Sequence, residues 1–394
     1  MAATLKSQLG ADTVRRISAM LSAAWPAFPA PAFEADALRG LATKELLARG
    51  EHIGTALRTH LPRDVASALR ILVDSLGPEL PDAGLDALAM APFLYLPHVS
   101  FVRAHGLAAF DAAIAAQHAL TRRFTAEWSI RPFLEAEPER TLAVLSAWAR
   151  DPSPHVRRLV SEGSRPRLPW APRLRRFVED PRPALALLEL LKDDPSPYVR
   201  RSVANHLNDV GKDHPALLLE TARRWLRGAS PERRKLVAHA LRSLARRGDP
   251  GALALLGHGE RPRVTVRDVR IVPSRVPIGG SVRFEATVAS RARTTQSLAV
   301  NLAVHYVKAR GETRPKRFKL RPLRLPPAGA VRVGRTLSVA QRTTRRHHPG
   351  VHRLELVLNG VSFPAGEFAV VSAPPGRAPP PARRGRAPPS RRPR

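Results

Sequence analysis

Apolar positions along this chain change their period once. Through roughly the first 260 residues they recur at steps of three and four, the spacing of a helix with one buried face. Ala37–Ala48, His52–His60, Asp64–Leu76 and Leu107–Phe124 follow it, and Ile17, Met20, Leu21 and Trp25 share one face of an amphipathic first helix. From Arg263 onward the pattern becomes short Val-rich alternating runs: Arg263–Val272, Ser281–Ala289, Ser297–Val307, Val331–Val339, Val351–Leu358 and Glu367–Val371. Alternation is the period of strands with one face on a core. Asn359-Gly360, between two of these runs, is a hairpin-turn signal. Seven or so short strands over about 110 residues predict an all-β immunoglobulin-like sandwich.

Within the helical region a single phrase repeats. Asp-Pro-Ser-Pro-X-Val-Arg-Arg occurs at Asp151–Arg158 and again at Asp194–Arg201, 43 residues on, and a degenerate copy starts at Ser230. That period predicts an all-α HEAT-like helical-repeat solenoid, most regular over residues 141–256. In each copy Ser stands at the N-cap and Pro at the first helical position, so each phrase starts a helix. Leu/Ala-rich helices (Thr141–Ala149, Ala184–Leu191, Ala216–Leu226) precede the three phrases. The basic pairs Arg157/Arg158, Arg200/Arg201 and Arg234/Lys235 recur at one place in successive helices. Stacked repeats would align them as a ridge suited to a polyanion.

The first copy departs from the pattern. Where the second continues Val203-Ala204-Asn205-His206-Leu207 and the third Val237-Ala238-His239-Ala240-Leu241, the first reads Val160-Ser161-Glu162-Gly163-Ser164. Gly in a helix interior costs about 1 kcal/mol against Ala, and Ser164 replaces a packing Leu. This unit also carries an extra segment, Arg165–Arg173, with Trp170 braced by Pro169 and Pro172. Arginines beside a rigid indole suit nucleic acid, since guanidinium holds phosphate and the ring offers stacking. The bland alternative makes Glu162 a surface ion-pair partner and Trp170 a core anchor. Asp209 reads on spacing alone as a cap toward Gly211, Glu127 as a solvated carboxylate beside a core Trp128, and Trp148 and Trp225 as core.

Charge sharpens the partner class. Lys and Arg number 65 against 33 acidic residues, a net charge of +32, and residues 261–394 hold 29 of those bases with only 5 acids. Such a chain binds nucleic acid in a salt-dependent way. The last 22 residues contain eight Pro, seven Arg and no acid, the composition of a disordered basic tail. The chain therefore reads as three segments, with a helical repeat over 1–260, a sandwich over 261–372 and a tail over 373–394. With no cysteine, disulfides and thiolate sites are excluded. No metal-binding spacing occurs, His347-His348 being the one adjacent His pair. No apolar run approaches the ~20 residues of a membrane span. A soluble, cytoplasmic, nucleoid-associated monomer without metal or nucleotide cofactor is the expectation.

Several stretches resemble a known family. Leu120–Glu127 with Ile130–Leu134, Val156–Trp170 and Val199–Asp209 are similar to the AlkC branch of the bacterial DNA alkylation-repair glycosylases, the likeness covering about residues 15–256. The string Ser161-Glu162-Gly163-Ser164-Arg165-Pro166-Arg167-Leu168-Pro169-Trp170 is its most specific element. Some members carry a C-terminal immunoglobulin-like domain. The Pro/Arg tail is outside that pattern.

The resemblance implies hydrolysis of the N-glycosidic bond of cationic N-alkylated bases, 3-methyladenine and 3-methylcytosine, in double-stranded DNA, leaving an abasic site. It implies Glu162, Asp209, Glu127 and Trp170 as catalytic residues. Arg158 and Arg165 are implied as phosphate or sugar contacts, beside Arg157, Arg167, Arg200 and Arg201 of the basic segments. A cationic base leaves neutral, so carboxylates that stabilise an oxocarbenium-like sugar and position water suffice. A non-catalytic repeat scaffold for DNA or an acidic protein would share the charge and the repeats but not the Glu162–Trp170 string. A cell-surface adhesin, the third possibility, needs an export signal that the sequence does not show.

Overall fold

The computed structural model describes residues 5–81, 93–341 and 346–372; the Pro/Arg tail lies outside them. Two compact units divide the chain between Leu244 and Ala245.

The first unit is helical. Its N-terminal half holds α1 (Ala11–Ala24), α2 (Ala30–Leu38), α3 (Leu46–His60), α4 (Val65–Asp74), α5 (Leu96–His105) and α6 (Phe110–Thr121). Then come α7 (Arg131–Ala136), α8 (Pro138–Trp148), α9 (Pro154–Gly163), α10 (Arg175–Glu179) and α11 (Arg182–Leu191). The remainder is α12 (Pro197–Asp213), α13 (Pro215–Leu226), α14 (Pro231–Ala240) and α15 (Arg242–Arg247), the last crossing the boundary. Val14, Ile17 and Leu21 bury one face of α1, as the periodicity requires. The stretch Ala37–Ala48 is not one helix: the chain turns through Gly40, at φ +69°, and resumes at Leu46. Phe93–Thr121 is a helical run long and apolar enough by composition to cross a membrane, contrary to the expectation that none approached that length. It bends at Gly106 into α5 and α6, which pack on α3 and α4.

The repeated phrase is a self-tied turn. The Asp151 carboxylate accepts from Ser153 N at 2.8 Å, and Asp194 accepts from Ser196 N at 2.8 Å. Ser153 and Ser230 cap α9 and α14 through their hydroxyls, whereas Ser196 holds the cap position without a side-chain cap bond. The first Arg of each pair then folds back onto the turn's carbonyls. Arg157 reaches Asp151 O and Pro152 O, Arg200 reaches Asp194 O and Pro195 O, and Arg234 reaches Ala229 O. These orphan carbonyls would otherwise face solvent or go unpaired.

The second unit opens with α16 (Pro250–Leu255), N-capped by Asp249. The expected boundary at residue 260 therefore moves to 244, because α16 groups with the β unit. The ten described strands are β1 (Val264–Val272), β2 (Arg275–Pro277), β3 (Ser281–Ser290), β4 (Gln296–Leu298), β5 (Val300–Val307), β6 (Thr313–Lys319), β7 (Leu323–Leu325), β8 (Ala330–Ser338), β9 (Gly350–Leu358) and β10 (Val361–Val371). One sheet runs β1-β3-β8 and another β2-β10-β9-β5-β6, with β4 and β7 paired apart. Phe284 and Val288 from the first meet Leu302, Leu356 and Phe368 from the second in one core. The run Ser297–Val307 is two strands, since β4 and β5 belong to different sheets. Strand β6 has no apolar alternation because it is an exposed edge rich in Lys and Arg, a composition that discourages edge-to-edge pairing.

The β9–β10 hairpin turns at Asn359 and Gly360, at φ +44° and +82°, as the dipeptide predicted. Asn359 also accepts from Ala299 N and donates to Glu260 O and Ser297 O. Asn359→Ala removes those three bonds and places a Cβ-only residue in the left-handed region. We expect it to destabilise the β unit by about 2 kcal/mol in urea unfolding followed by circular dichroism.

Candidate active site

The centre of the helical unit lies between α9 and α12. Ordinary repeats pack leucines here: Leu236 of α14 stands at the position that Leu159 holds in α9 and Ser202 in α12. The small Ser202 leaves room on α12 opposite Glu162. On the other side of α9, a Cβ on Gly163 would sit 2.5 Å from Ile130 Cγ2. Glycine in this helix is thus required by the close approach of the segment leading into α7. The helix ends at Ser164, which replaces the expected Leu and donates to Val160 O at 2.6 Å.

An alternating chain of charges fills this space. Glu127 accepts from Arg158 Nη1 at 2.6 Å, and Arg158 Nη2 lies 3.6 Å from Glu162 Oε1. Arg165 donates Nη1–H to Glu162 Oε1 at 2.6 Å, and its Nε and Nη2 both reach Asp209 Oδ2 at 2.8 Å. Lys212 closes the series on Asp209 Oδ1 at 2.6 Å. Glu162, Arg165 and Asp209 are 6%, 7% and 1% exposed. Carboxylates buried this deeply require partners, since the effective penalty for an unpaired ion is several kcal/mol.

The electrostatics follow from that order. Burial pushes the Glu162 carboxyl up, but Arg158, Arg165 and the Ser202 hydroxyl outweigh it and hold it below its ordinary 4.5. Arg158 likewise loses solvation and more than regains it from Glu127 and Glu162, so its guanidinium is held more firmly cationic. Its guanidinium also stands 5.4 Å over the Tyr198 ring. His206, fully buried on α12, is depressed to about 4 by desolvation and is neutral, so its Nδ1–H donates to Ser161 O at 2.9 Å.

The structure brings together Glu127, Arg158, Glu162, Arg165 and Asp209. Asp209 is not a cap: α12 runs on to Asp213, and the carboxylate faces Arg165 from inside the helix. Glu127 is not a solvated carboxylate either, being paired with Arg158. Trp170 stands apart from these bonds. It is 65% exposed at φ +63° and borders a cleft of about 310 Å³ with Trp128, Arg103, Pro132 and Leu174. It is therefore no core anchor, whereas Trp225 is buried and donates to Glu189. Trp148 is half-buried against His118.

The basic ridge is smaller than the spacing suggested, and Arg158 is drawn into the buried pairs with Glu127 and Glu162. Arg157 and Arg200 are spent on the turns, Arg157 also spanning to Asp194 at 2.7 Å. Arg167 is bidentate to Asp213. Arg201 and Lys235 remain exposed.

Four contributors escaped the sequence reading. Ser202 bonds to the Glu162 carboxylate, and Ser161 bonds to Ser202. Lys212 pairs with Asp209. Arg131 is buried in α7, donates to Gly163 O, Arg165 O and Pro172 O, and is depressed by desolvation to about 10. It ties down both ends of the Trp170 loop. Of these, Ser202 left a signal, a polar residue in a leucine slot. Among the described residues no cluster of His, Asp and Glu could hold a metal, and His347 packs against Tyr306.

A buried carboxylate–guanidinium centre in a helical-repeat unit, followed by an immunoglobulin-like sandwich, is a plan shared with known proteins. The domain described as "Uncharacterised protein YhaZ, C-terminal Ig-like domain" matches residues 265–372. Bacillus subtilis (strain 168) YhaZ is 34% identical over 322 residues, 82% of this chain and 86% of that protein. The Pseudomonas fluorescens alkylpurine DNA glycosylase AlkC, solved bound to DNA containing an abasic site analog, matches with a TM-score of 0.86 at 34% identity. That match covers 94% of this chain and 100% of the other. The chain belongs to the AlkC family, in the form that carries the C-terminal immunoglobulin-like domain.

The Arg157–Asp194 bridge is buried, the two side chains being 13% and 3% exposed. Breaking such a pair strands the remaining charge, so Arg157→Ala should cost about 3 kcal/mol of unfolding free energy. Lys235→Ala, on the surface, should stay within about 0.5 kcal/mol. Urea denaturation of the two variants checks the contrast.

Proposed function

We propose that the protein is a DNA glycosylase that hydrolyses the N-glycosidic bond of cationic N-alkylated bases in duplex DNA. Its substrates are 3-methyladenine and 3-methylcytosine, and its product is an abasic site. The observation that carries this reading is Glu162, an ionised carboxylate held below its ordinary pKa in a nearly dry setting between Arg158 and Arg165. The family supports it, since AlkC from Pseudomonas fluorescens is an alkylpurine DNA glycosylase that binds DNA with an abasic site analog.

The chemistry needs little else. A positively charged base departs as a neutral molecule, so the leaving group requires no proton from the protein. Positive charge then grows on the deoxyribose, and a fixed carboxylate in a low-dielectric site stabilises it without reorganising. The same oxygen can accept a hydrogen bond from the attacking water and take up its proton as the C–O bond forms. Asp209 and Glu127 act alongside Glu162, each fixed by an arginine. The exposed indole of Trp170 offers a π face to a cationic base. Arg201 and Lys235, exposed on α12 and α14, supply phosphate contacts. Lys212 commits its Nζ to Asp209, which disfavours a Schiff base and supports a monofunctional reaction.

Two outcomes test this reading. Purified protein should release 3-methyladenine from methylated duplex DNA, undiminished by chelator. Glu162→Gln should remain folded and bind DNA while losing about 10²–10³ in single-turnover rate, the scale of one preorganised electrostatic group. No release at any salt concentration would leave a binding scaffold.

The pH dependence has a definite sign. A carboxyl depressed below 4.5 is ionised throughout the neutral range, so activity that uses the anion persists until pH falls through that lowered value. Single-turnover rates should therefore be flat between about pH 5 and pH 8. A limb rising with pH through about 6 would show a neutral, raised carboxyl instead.

A further inference from the structure

Glu162 is contacted on its Oε2 side by a hydroxyl chain whose direction is fixed by proton counting. Ser202 Oγ lies 2.5 Å from Glu162 Oε2, and the ionised carboxylate can only accept, so the single Ser202 proton goes to Glu162. Ser202 Oγ must then accept at its 2.6 Å contact with Ser161, which spends the Ser161 proton. The Ser161 main-chain carbonyl is held in turn by His206 from the same face of α12. All three partners are buried: Ser161 and His206 are 0% exposed and Ser202 3%. At the Ser202 position both neighbouring repeats carry leucine, Leu159 and Leu236. A leucine would fill the interface and offer the carboxylate nothing.

We propose that Ser202 is a positioning residue for Glu162: oriented by Ser161, it occupies one Oε2 lone pair, fixes the carboxylate rotamer and leaves the second lone pair for the reacting water. The assignment rests on the glycosylase reading. Arg165 alone would hold only Oε1 and leave the group free to swing about that bond. With both oxygens tied, the acceptor direction is set before substrate arrives, which is where preorganisation lowers a barrier.

The charged and titratable groups around Glu162 are Arg158 on its own helix, Arg165 in the loop after it, and Glu127 in the segment before α7. Tyr198, His206 and Asp209 face it from α12. Helices α6, α8 and α11 also pack on α9, but His118 is paired with Asp151, Arg140 with Asp111, and Glu189 with Lys192 and Arg224. Loss of the Ser202 donor thus raises the Glu162 pKa without changing the count of charges around it.

Three variants in the full-length protein test the proposal: Ser202→Ala, Ser202→Thr and Ser161→Ala. Single-turnover base release from methylated DNA is measured across pH, beside affinity for DNA with an abasic-site analogue. Ser202→Ala should bind that DNA within about twofold of wild type and release base about tenfold more slowly at neutral pH, on the order of one hydrogen bond to a charged group. Its acid limb should move toward neutral pH. Ser202→Thr, which keeps the hydroxyl, should restore both. Ser161→Ala should show the same limb shift at smaller size, and it serves if Ser202→Ala does not fold.

A rate that falls equally at every pH, or a limb that stays put, would reduce Ser202 to packing and overturn the proposal. The Glu162 carboxyl itself, titrated by NMR with ¹³C-labelled glutamate, gives a readout independent of turnover. If wild type releases no base yet the titration shifts in Ser202→Ala, the glycosylase reading fails and the clamp stands. If the titration does not shift, the clamp fails whatever the activity.

Discussion

Buried carboxylates and guanidiniums share the space between α9 and α12, at a level that the later repeats fill with the hydrogen-bonded pair Asn205 and His239. Each ion has given up most of its water, and the effective penalty for each is several kcal/mol. Only strict alternation makes the arrangement tolerable: Glu127, Arg158, Glu162, Arg165, Asp209 and Lys212 follow one another with no like charges in direct contact. The surrounding fold serves that geometry. The self-tied turn at Asp151 starts α9 at a fixed place, Gly163 lets Ile130 close over it, and Arg131 holds the loop that follows. A well-packed apolar seam would be at least as stable. Retaining ions here makes sense for chemistry rather than for stability.

That trade explains how a repeat protein can carry a reaction. Helical repeats present extended surfaces, and the exposed second members of the basic pairs, Arg201 and Lys235, belong to such a surface. In the proposed reaction a fixed anion costs no reorganisation when positive charge develops on the sugar. Because Glu162 is held between cations, it stays ionised without being neutralised by a proton. Because Ser202 holds its second oxygen, it points one way. In the proposed reaction the arginines therefore have two tasks, keeping the carboxylate charged and keeping it still.

Much of this was legible in the residues. The duplicated Asp-Pro-Ser-Pro phrase set the helix starts at Pro154 and Pro197, and the change of apolar period marked the β unit. Asn359-Gly360 placed the hairpin. The broken repeat pointed to Glu162, although its slot is polar in every copy: Asn205 and His239, its equivalents, bond to each other at 3.1 Å. The sharper anomaly was Ser202, a hydroxyl in a leucine column, visible only when the copies are compared against the first rather than from it.

Other features were hidden for physical reasons. Nothing local tells which Arg of a pair will turn back onto its own carbonyls, because that depends on turn geometry. Asp209 looked like a cap because Gly211 follows it, yet the helix continues. Strand β6 escaped because an exposed charged edge has no apolar alternation to read. The 244 boundary was blurred because α16 keeps a helical period while grouping with the sandwich.

The central claim is that the site is built to stabilise a cation at the sugar, and affinity for a mimic of that cation tests it most directly. Duplex DNA carrying a protonated azasugar, compared with the same duplex carrying a neutral tetrahydrofuran, isolates the charge. Wild type should bind the cationic duplex at least about tenfold more tightly, and Glu162→Gln should erase most of that preference while leaving affinity for the neutral duplex unchanged. Equal affinity of the wild-type protein for the two duplexes would contradict the account.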